Sequence, residues 1–361
     1  MKVVLIGDTL LNQETLSIDN KLLEQCQDAD LVLLNVEGPL TTAAAKKSAG
    51  TPICSRPENI RYLQQLNVHV AILGNNHIMD HGIEGLTETC DILKAHSIDY
   101  VGASSAEQDR PWVIEKEKVA IFSYTHQEGP MYDSEGFGPI SLPPIEELLR
   151  EIDAYKQDGY KIIFNYHGGE EFFSVPWPRR RGFLRRISDQ GVDIIFAHHS
   201  HSIQPLEIRD GKVVIYSPGN FYMDTPYQRK HEQTKEGYVT VIDEQNVTTL
   251  SLAIDLDKKE VSVSGEKVIR RDQNRELNEK QVEGIWRKEC KSKFSQPFKR
   301  SFPLSRSKLV IRLLRYAIFI KKIKKLDRKE RDLDILWSSL PLIGRRYVKK
   351  LFSKGYTNYR F

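Results

Sequence analysis

Val68-His69-Val70-Ala71-Ile72-Leu73-Gly74-Asn75-Asn76-His77 sets an apolar, β-branched-rich run directly against a cluster of amide and imidazole groups, and Asp80-His81-Gly82 extends the cluster. A run of that kind bounded by glycine and asparagine reads as a buried strand that delivers polar side chains at its carboxyl end. The pattern recurs along the chain. Strand-like runs at 3–6, 31–34, 119–124, 162–166, 193–196 and 213–216 alternate with helical stretches at 19–27, 57–66, 85–96 and 144–156. Such alternation predicts an α/β fold, sheets with helices packed on their faces. From 237 to 268 three strands (238–242, 248–254, 261–268) follow one another without helices, which predicts an antiparallel meander and a mixed sheet.

Composition bounds the rest. The 361 residues are 40% hydrophobic and 28% charged, a balance that supports a large buried core and excludes a fibre or general disorder. No apolar run approaches the roughly 18 residues needed to span a bilayer. The opening residues lack a signal-peptide core, and the chain is expected to be cytoplasmic. Cys26, Cys54, Cys90 and Cys290 show no Cys-x-x-Cys spacing, which argues against a disulfide framework or a thiolate zinc site. Charge is unevenly spread. Residues 291–361 hold 21 Lys and Arg against 4 Asp and Glu, a net of +17, whereas residues 1–290 carry a net of −13. Two units are expected: an α/β domain over 1–275 and a basic helical extension over 276–361.

The chemistry sits where the strands end. The predicted strands run into Gly7-Asp8, Asn35-Val36-Glu37-Gly38-Pro39, Asn75-Asn76-His77, His167-Gly168-Gly169-Glu170-Glu171, His198-His199-Ser200-His201 and Gly219-Asn220-Phe221. In α/β folds the crevice at the carboxyl ends of the strands is the usual ligand site. Carboxylates, imidazoles and an amide converging there suit two borderline divalent cations, manganese, iron or zinc. Two such cations about 3.5–4 Å apart bring the pKa of a bound water towards roughly 7. His199 and His201 alternate on a segment read as extended, which would point them to one side. Glu171 and Asn220 are candidates to orient the histidines from outside the ligand set.

These six blocks, in this order, resemble the CapA family of capsule and poly-gamma-glutamate synthesis proteins, within the calcineurin-like metallophosphatase superfamily. The resemblance covers about residues 1–225. It implies a four-layer αββα sandwich, two β-sheets flanked by helices, with the site at its upper edge. It also implies Asp8 as a first-strand ligand, Glu37 as the carboxylate that bridges the metals or replaces the usual aspartate, Asn76 as an amide ligand and His167, His199 and His201 as the remaining ligands. His77 becomes the candidate catalytic residue, with a structural role beside the site as its alternative. Leu10 stands where the superfamily's first motif carries a histidine, so one of the two metal positions is expected to be weaker.

Other features have plainer readings. Asp80 suits a helix-start cap, and Arg179-Arg180-Arg181 with Arg185 and Arg186 suits a solvated helix face. His69, His96, His126 and His231 fall outside the blocks and read as ordinary histidines. The segment 308–325 places Lys308, Arg312, Arg315 and Lys322 on one stripe beside a broad apolar face, the pattern of a helix that docks on protein or lies on a membrane surface. Nucleic acid is disfavoured, because no binding module accompanies the charge. The expected function is metal-dependent phosphoester hydrolysis of an anionic small molecule or polymer in bacterial envelope metabolism. Its rivals are a metal-dependent amide hydrolase and a non-catalytic assembly factor that binds metal or polymer.

Overall fold

The computed structural model describes residues 1–46, 51–104, 111–126 and 138–295. The chain opens with β1 (Val3–Leu10), β2 (Ser17–Ile18), α1 (Asn20–Gln27), β3 (Leu31–Val36), α2 (Ile60–Gln65), β4 (Val70–Ile72), α3 (Gly82–Ala95) and β5 (Asp99–Val101). It continues through β6 (Ala103–Ser104), β7 (Trp112–Ile114), β8 (Val119–Thr125), β9 (Gly138–Pro139), α4 (Ile145–Gln157), β10 (Lys161–His167), α5 (Pro178–Asp189) and β11 (Ile194–His198). Then come β12 (Ile203–Arg209), β13 (Lys212–Pro218), β14 (Asn220–Met223), β15 (Glu236–Ile242), β16 (Asn246–Asp255), β17 (Glu260–Arg270) and α6 (Glu279–Ser295).

Two sheets carry the architecture. One has the order β2-β17-β16-β15-β1-β3-β4-β5 with β14 added beside β1; the other runs β12-β13-β11-β10-β8-β7. Strand parity explains how they stack. In β1, Val3 and Leu5 face the other sheet while Val4 and Ile6 face the outer helices; Leu31 and Leu33 divide from Val32 and Leu34 in the same way. The second sheet repeats this, with Ile163 turned inward and Ile162 and Phe164 packed in the core that includes Leu148, Ile152 and Leu184 of α4 and α5. Apolar side chains on alternate sides of one strand therefore fill two cores, which is why these strands read as continuous apolar runs. The αββα layering and the antiparallel meander β15-β16-β17 agree with the sequence.

A local irregularity aims the first candidate ligand. The register of β1 shifts against both β3 and β14 at Gly7 and Asp8. A bulge of this kind bends the strand and redirects a side chain. Glycine is required there, because a Cβ on residue 7 would lie 2.5 Å from the Gly219 carbonyl oxygen and 2.8 Å from Pro218 Cγ.

The arginine face on α5 is corrected in part by the structure: Arg179 and Arg186 are exposed as read, but the others are not. Arg180 and Arg181 are buried, and Arg181 and Arg185 grip the buried Glu207, which also accepts from Tyr216 Oη at 2.7 Å and the Leu277 N–H at 2.8 Å. Arg181 and Arg185 are drawn inward because Glu207, a carboxylate inside β12, needs positive partners. By its internal contacts the chain divides after Arg287, and the site described below belongs to Met1–Arg287. The helix expected at 308–325 lies outside the described residues. Among the described residues no helix is long and apolar enough to cross a membrane.

Candidate metal centre

The strand ends meet in two groups of three. Asp8, His167 and His198 form one; Glu37, His199 and His201 form the other, and within each the ligand-type atoms lie within 4.8 Å of one another. None of the six is more than 3% exposed. The groups touch. His199 Nδ1 is 3.1 Å from His167 Nε2, and His201 Nδ1 is 3.4 Å from Asp8 Oδ2. Asn76 joins through Oδ1, 2.7 Å from His167 Nε2. All six residues read from the sequence as ligands thus come together.

Neighbouring amides decide which imidazole nitrogens are available. Asn165 gives its Nδ2–H to Ser123 Oγ (2.9 Å), so its Oδ1 accepts from His198 Nε2 at 2.6 Å. A neutral His198 then keeps a lone pair on Nδ1, which lies between His167 Nδ1 at 2.8 Å and Asp8 Oδ1 at 3.2 Å. Asn220 does the same for His201. Its Nδ2 donates to the Thr234 carbonyl (3.3 Å), its Oδ1 accepts from His201 Nδ1 (2.9 Å), and His201 Nε2 faces Glu37 Oε1 at 3.5 Å. A lone pair set against a carboxylate oxygen is unfavourable unless a cation lies between them. Two carboxylate–imidazole pairs with their tautomers fixed from behind therefore fit a pair of divalent cations.

His77 is placed differently. Its Nδ1 lies 2.6 Å from Asp80 Oδ2, its side chain is 19% exposed, and Asp80 is fully buried. Asp80 also accepts the Ile53 N–H at 3.0 Å. The capping role read for Asp80 is thus corrected: α3 has His81 at its cap position, and the Asp80 carboxylate is committed to His77. Glu171 accepts from Tyr227 Oη at 3.2 Å, and its charge raises the proton affinity of His201.

The extended reading of the histidine pair also needs correction. β11 ends at His198, and both His199 (φ 95°) and His201 (φ 52°) have left-handed backbones. Side chains rarely adopt that conformation, and strain of this sort gathers at functional sites. The turn brings His198 into the centre together with the other two, whereas strand parity would have sent it to the opposite face. His198 stands beside Asp8, where Leu10, itself buried, offers no ligand. Asn165 was legible in principle, as a lone amide inside the apolar run of β10 and two residues before His167.

Burial sets the electrostatics. It pushes His167 far below its ordinary 6.5, and the neighbouring His199, His198, His201 and His77 push the same way. His201 is lowered by burial as well, with Asp8 and Glu171 opposing. For Asp8 burial works against ionisation, but the nearby His198, His201 and His199 imidazoles prevail and hold it below 3.8. In a chelator-treated chain the unfolded state takes up protons at His167 and His201 first as pH falls. Their contribution to stability is whole above about pH 6.5 and is lost below it, with Asp8 adding its loss only under about pH 4. The urea midpoint of the metal-free chain is therefore expected to fall between pH 7.5 and pH 5.5; an unchanged midpoint contradicts this.

The chain belongs to the bacterial capsule synthesis protein family PGA_cap, whose family model matches residues 3–225. It is 30% identical over 218 residues to the PGA biosynthesis protein CapA of Bacillus subtilis (strain 168), covering 58% of this chain and 57% of that protein. Against the capsule biosynthesis protein CapA of Bacillus anthracis it is 25% identical over 261 residues, covering 66% and 63% respectively. The matches thus span about three fifths of the length of these curated relatives. Among solved structures, the calcineurin-like phosphoesterase YfkN from Bacillus subtilis aligns over 81% of this chain and 97% of its own, at 14% identity and a TM-score of 0.39.

Proposed function

We propose that the chain hydrolyses phosphoester bonds of an anionic small molecule or polymer, with the help of two divalent transition cations, in capsule or envelope polymer metabolism. The observation that carries this reading is the pair of buried carboxylate–imidazole groups lying beside a partly exposed His77–Asp80 couple. The metabolic setting comes from the names of the relatives, a PGA biosynthesis protein and a capsule biosynthesis protein.

Asp8, His167 and His198 would hold one cation and Glu37, His199 and His201 the other, with the Asn76 amide adjoining. When bound, such cations supply Lewis acidity and bring the pKa of water towards about 7. Asp8 and Glu37 offset part of the positive charge, while the neutral imidazoles add affinity without more anionic charge. Asp80 holds His77 through Nδ1, so that a second proton at Nε2 can pass to a leaving oxygen. The partial exposure of His77 lets it recover that proton from solvent.

The +17 charge of residues 291–361 favours a second reading, a non-catalytic assembly factor tethered to an anionic polymer or membrane surface. Manganese-reconstituted full-length chain assayed on bis(4-nitrophenyl) phosphate, with a matching chelated sample, separates the two. Turnover that needs metal supports hydrolysis. Tight metal binding with no turnover on any ester or amide tested supports the assembly role.

A further inference from the structure

Residues 168–177, which leave β10 directly after His167, are built into the centre from two sides. Phe172 has a left-handed backbone (φ 64°). Its ring stacks on His231 at 4.0 Å and 13°, and lies 6.2 Å from the His201 ring. The Phe172 N–H donates to the Ser200 carbonyl at 2.7 Å. The Phe173 carbonyl in turn accepts from Ser202 Oγ (2.8 Å), Gln204 Nε2 (3.0 Å) and Ser200 Oγ (3.2 Å). Ser200 is the residue between His199 and His201. The loop after β10 and the left-handed turn after β11 are therefore fastened to one another, backbone to backbone and backbone to side chain.

On its other side the loop meets α6. The Phe173 ring stacks on Trp286 at 4.2 Å and 27°, and Trp177 lies 6.3 Å from the same indole at 24°. Elsewhere on α6, Val282 is buried while Ile285 is 42% exposed. A left-handed residue such as Phe172 persists only where its surroundings over-determine it, and the Phe173–Trp286 stack is one of those constraints.

We propose that Trp286 is a positioning residue for the metal centre. Its stack on Phe173 keeps the 172–173 segment fastened to Ser200 and Ser202, and so holds the turn that brings His199 and His201 together. The inference rests on the reading of those two histidines as ligands. It also gives Trp286 a line of contacts to the centre: Trp286 to Phe173, Phe172 to Ser200, Ser200 to its flanking histidines.

Two readouts on the full-length chain test it, with Trp286→Ala and the conservative Trp286→Phe as variants. In Trp286→Ala, hydrogen exchange in peptides covering 168–177 and 199–204 is expected to rise roughly tenfold, while β1, β10 and β11 stay protected. Manganese at the Glu37, His199 and His201 group, followed by calorimetric titration, is expected to bind about tenfold less tightly, and Trp286→Phe to stay within about twofold of wild type on both counts. Unchanged loop exchange overturns the proposal, and so does faster exchange with manganese binding intact. If the wild-type chain takes up no manganese while the loops still respond, the ligand reading fails and the mechanical link from Trp286 stands. Should Trp286→Ala also lose protection in the core strands, Trp286→Leu, which retains apolar volume without the ring, decides by the same two measurements.

Discussion

Replacing His199 with alanine is expected to remove at least one cation from the centre and to lower phosphodiester turnover by about 1,000-fold or more. His199 is buried, belongs to the Glu37 group and lies 3.1 Å from His167 in the Asp8 group, so its loss is felt by both. A Lewis-acid cation is worth several kcal/mol to a developing negative charge. At about 1.4 kcal/mol per factor of ten, losing it gives an effect of that size. The measurement pairs elemental analysis with the phosphodiester assay. Full metal content in His199→Ala contradicts its assignment as a ligand.

His77→Ala should behave in the opposite way. Metal content is expected to stay at the wild-type level, while kcat drops by about 10²–10⁴, the usual worth of a positioned acid or base. The contrast follows from geometry. His77 is held by Asp80 and reaches solvent, whereas the six grouped residues are buried against one another. Asp80→Asn keeps the shape but removes the carboxylate that orients Nδ1, and should lose less than His77→Ala. If His77→Ala strips the metal instead, its role is that of a ligand or ligand support.

The central strands were legible because each is buried on two faces. The run Val3-Val4-Leu5-Ile6 shows no polar alternation when one side meets helices and the other a second sheet. Edge strands were harder to read. β5 and β7 are only three residues long, too short to stand out, and β12 interrupts its apolar residues with Gln204, Glu207 and Arg209. Asp8, Glu37, Asn76, His167, His199 and His201 stood out because each lies in a polar block at the end of such a run.

What the sequence hid are the places where tertiary structure overrides local rules. Asp80 looks like a cap until His77 claims its carboxylate. His198 looks like the outward member of its trio until two left-handed residues turn the chain. His231 belongs to none of the motifs and lies 59 residues along the chain from Phe172, and only the fold stacks the two rings. Arginine-rich α5 looks solvated until the buried Glu207 is seen beneath it.

The central claim is that Asp8, His167 and His198 with Glu37, His199 and His201 form a centre for two cations. Elemental analysis of the purified full-length chain, before and after reconstitution with manganese or zinc and removal of excess ion, tests it most directly. The account predicts up to two equivalents per chain after reconstitution, one firmly held through purification and one that exchanges more readily. Metal no higher than trace in every sample, from a folded chain, would contradict it.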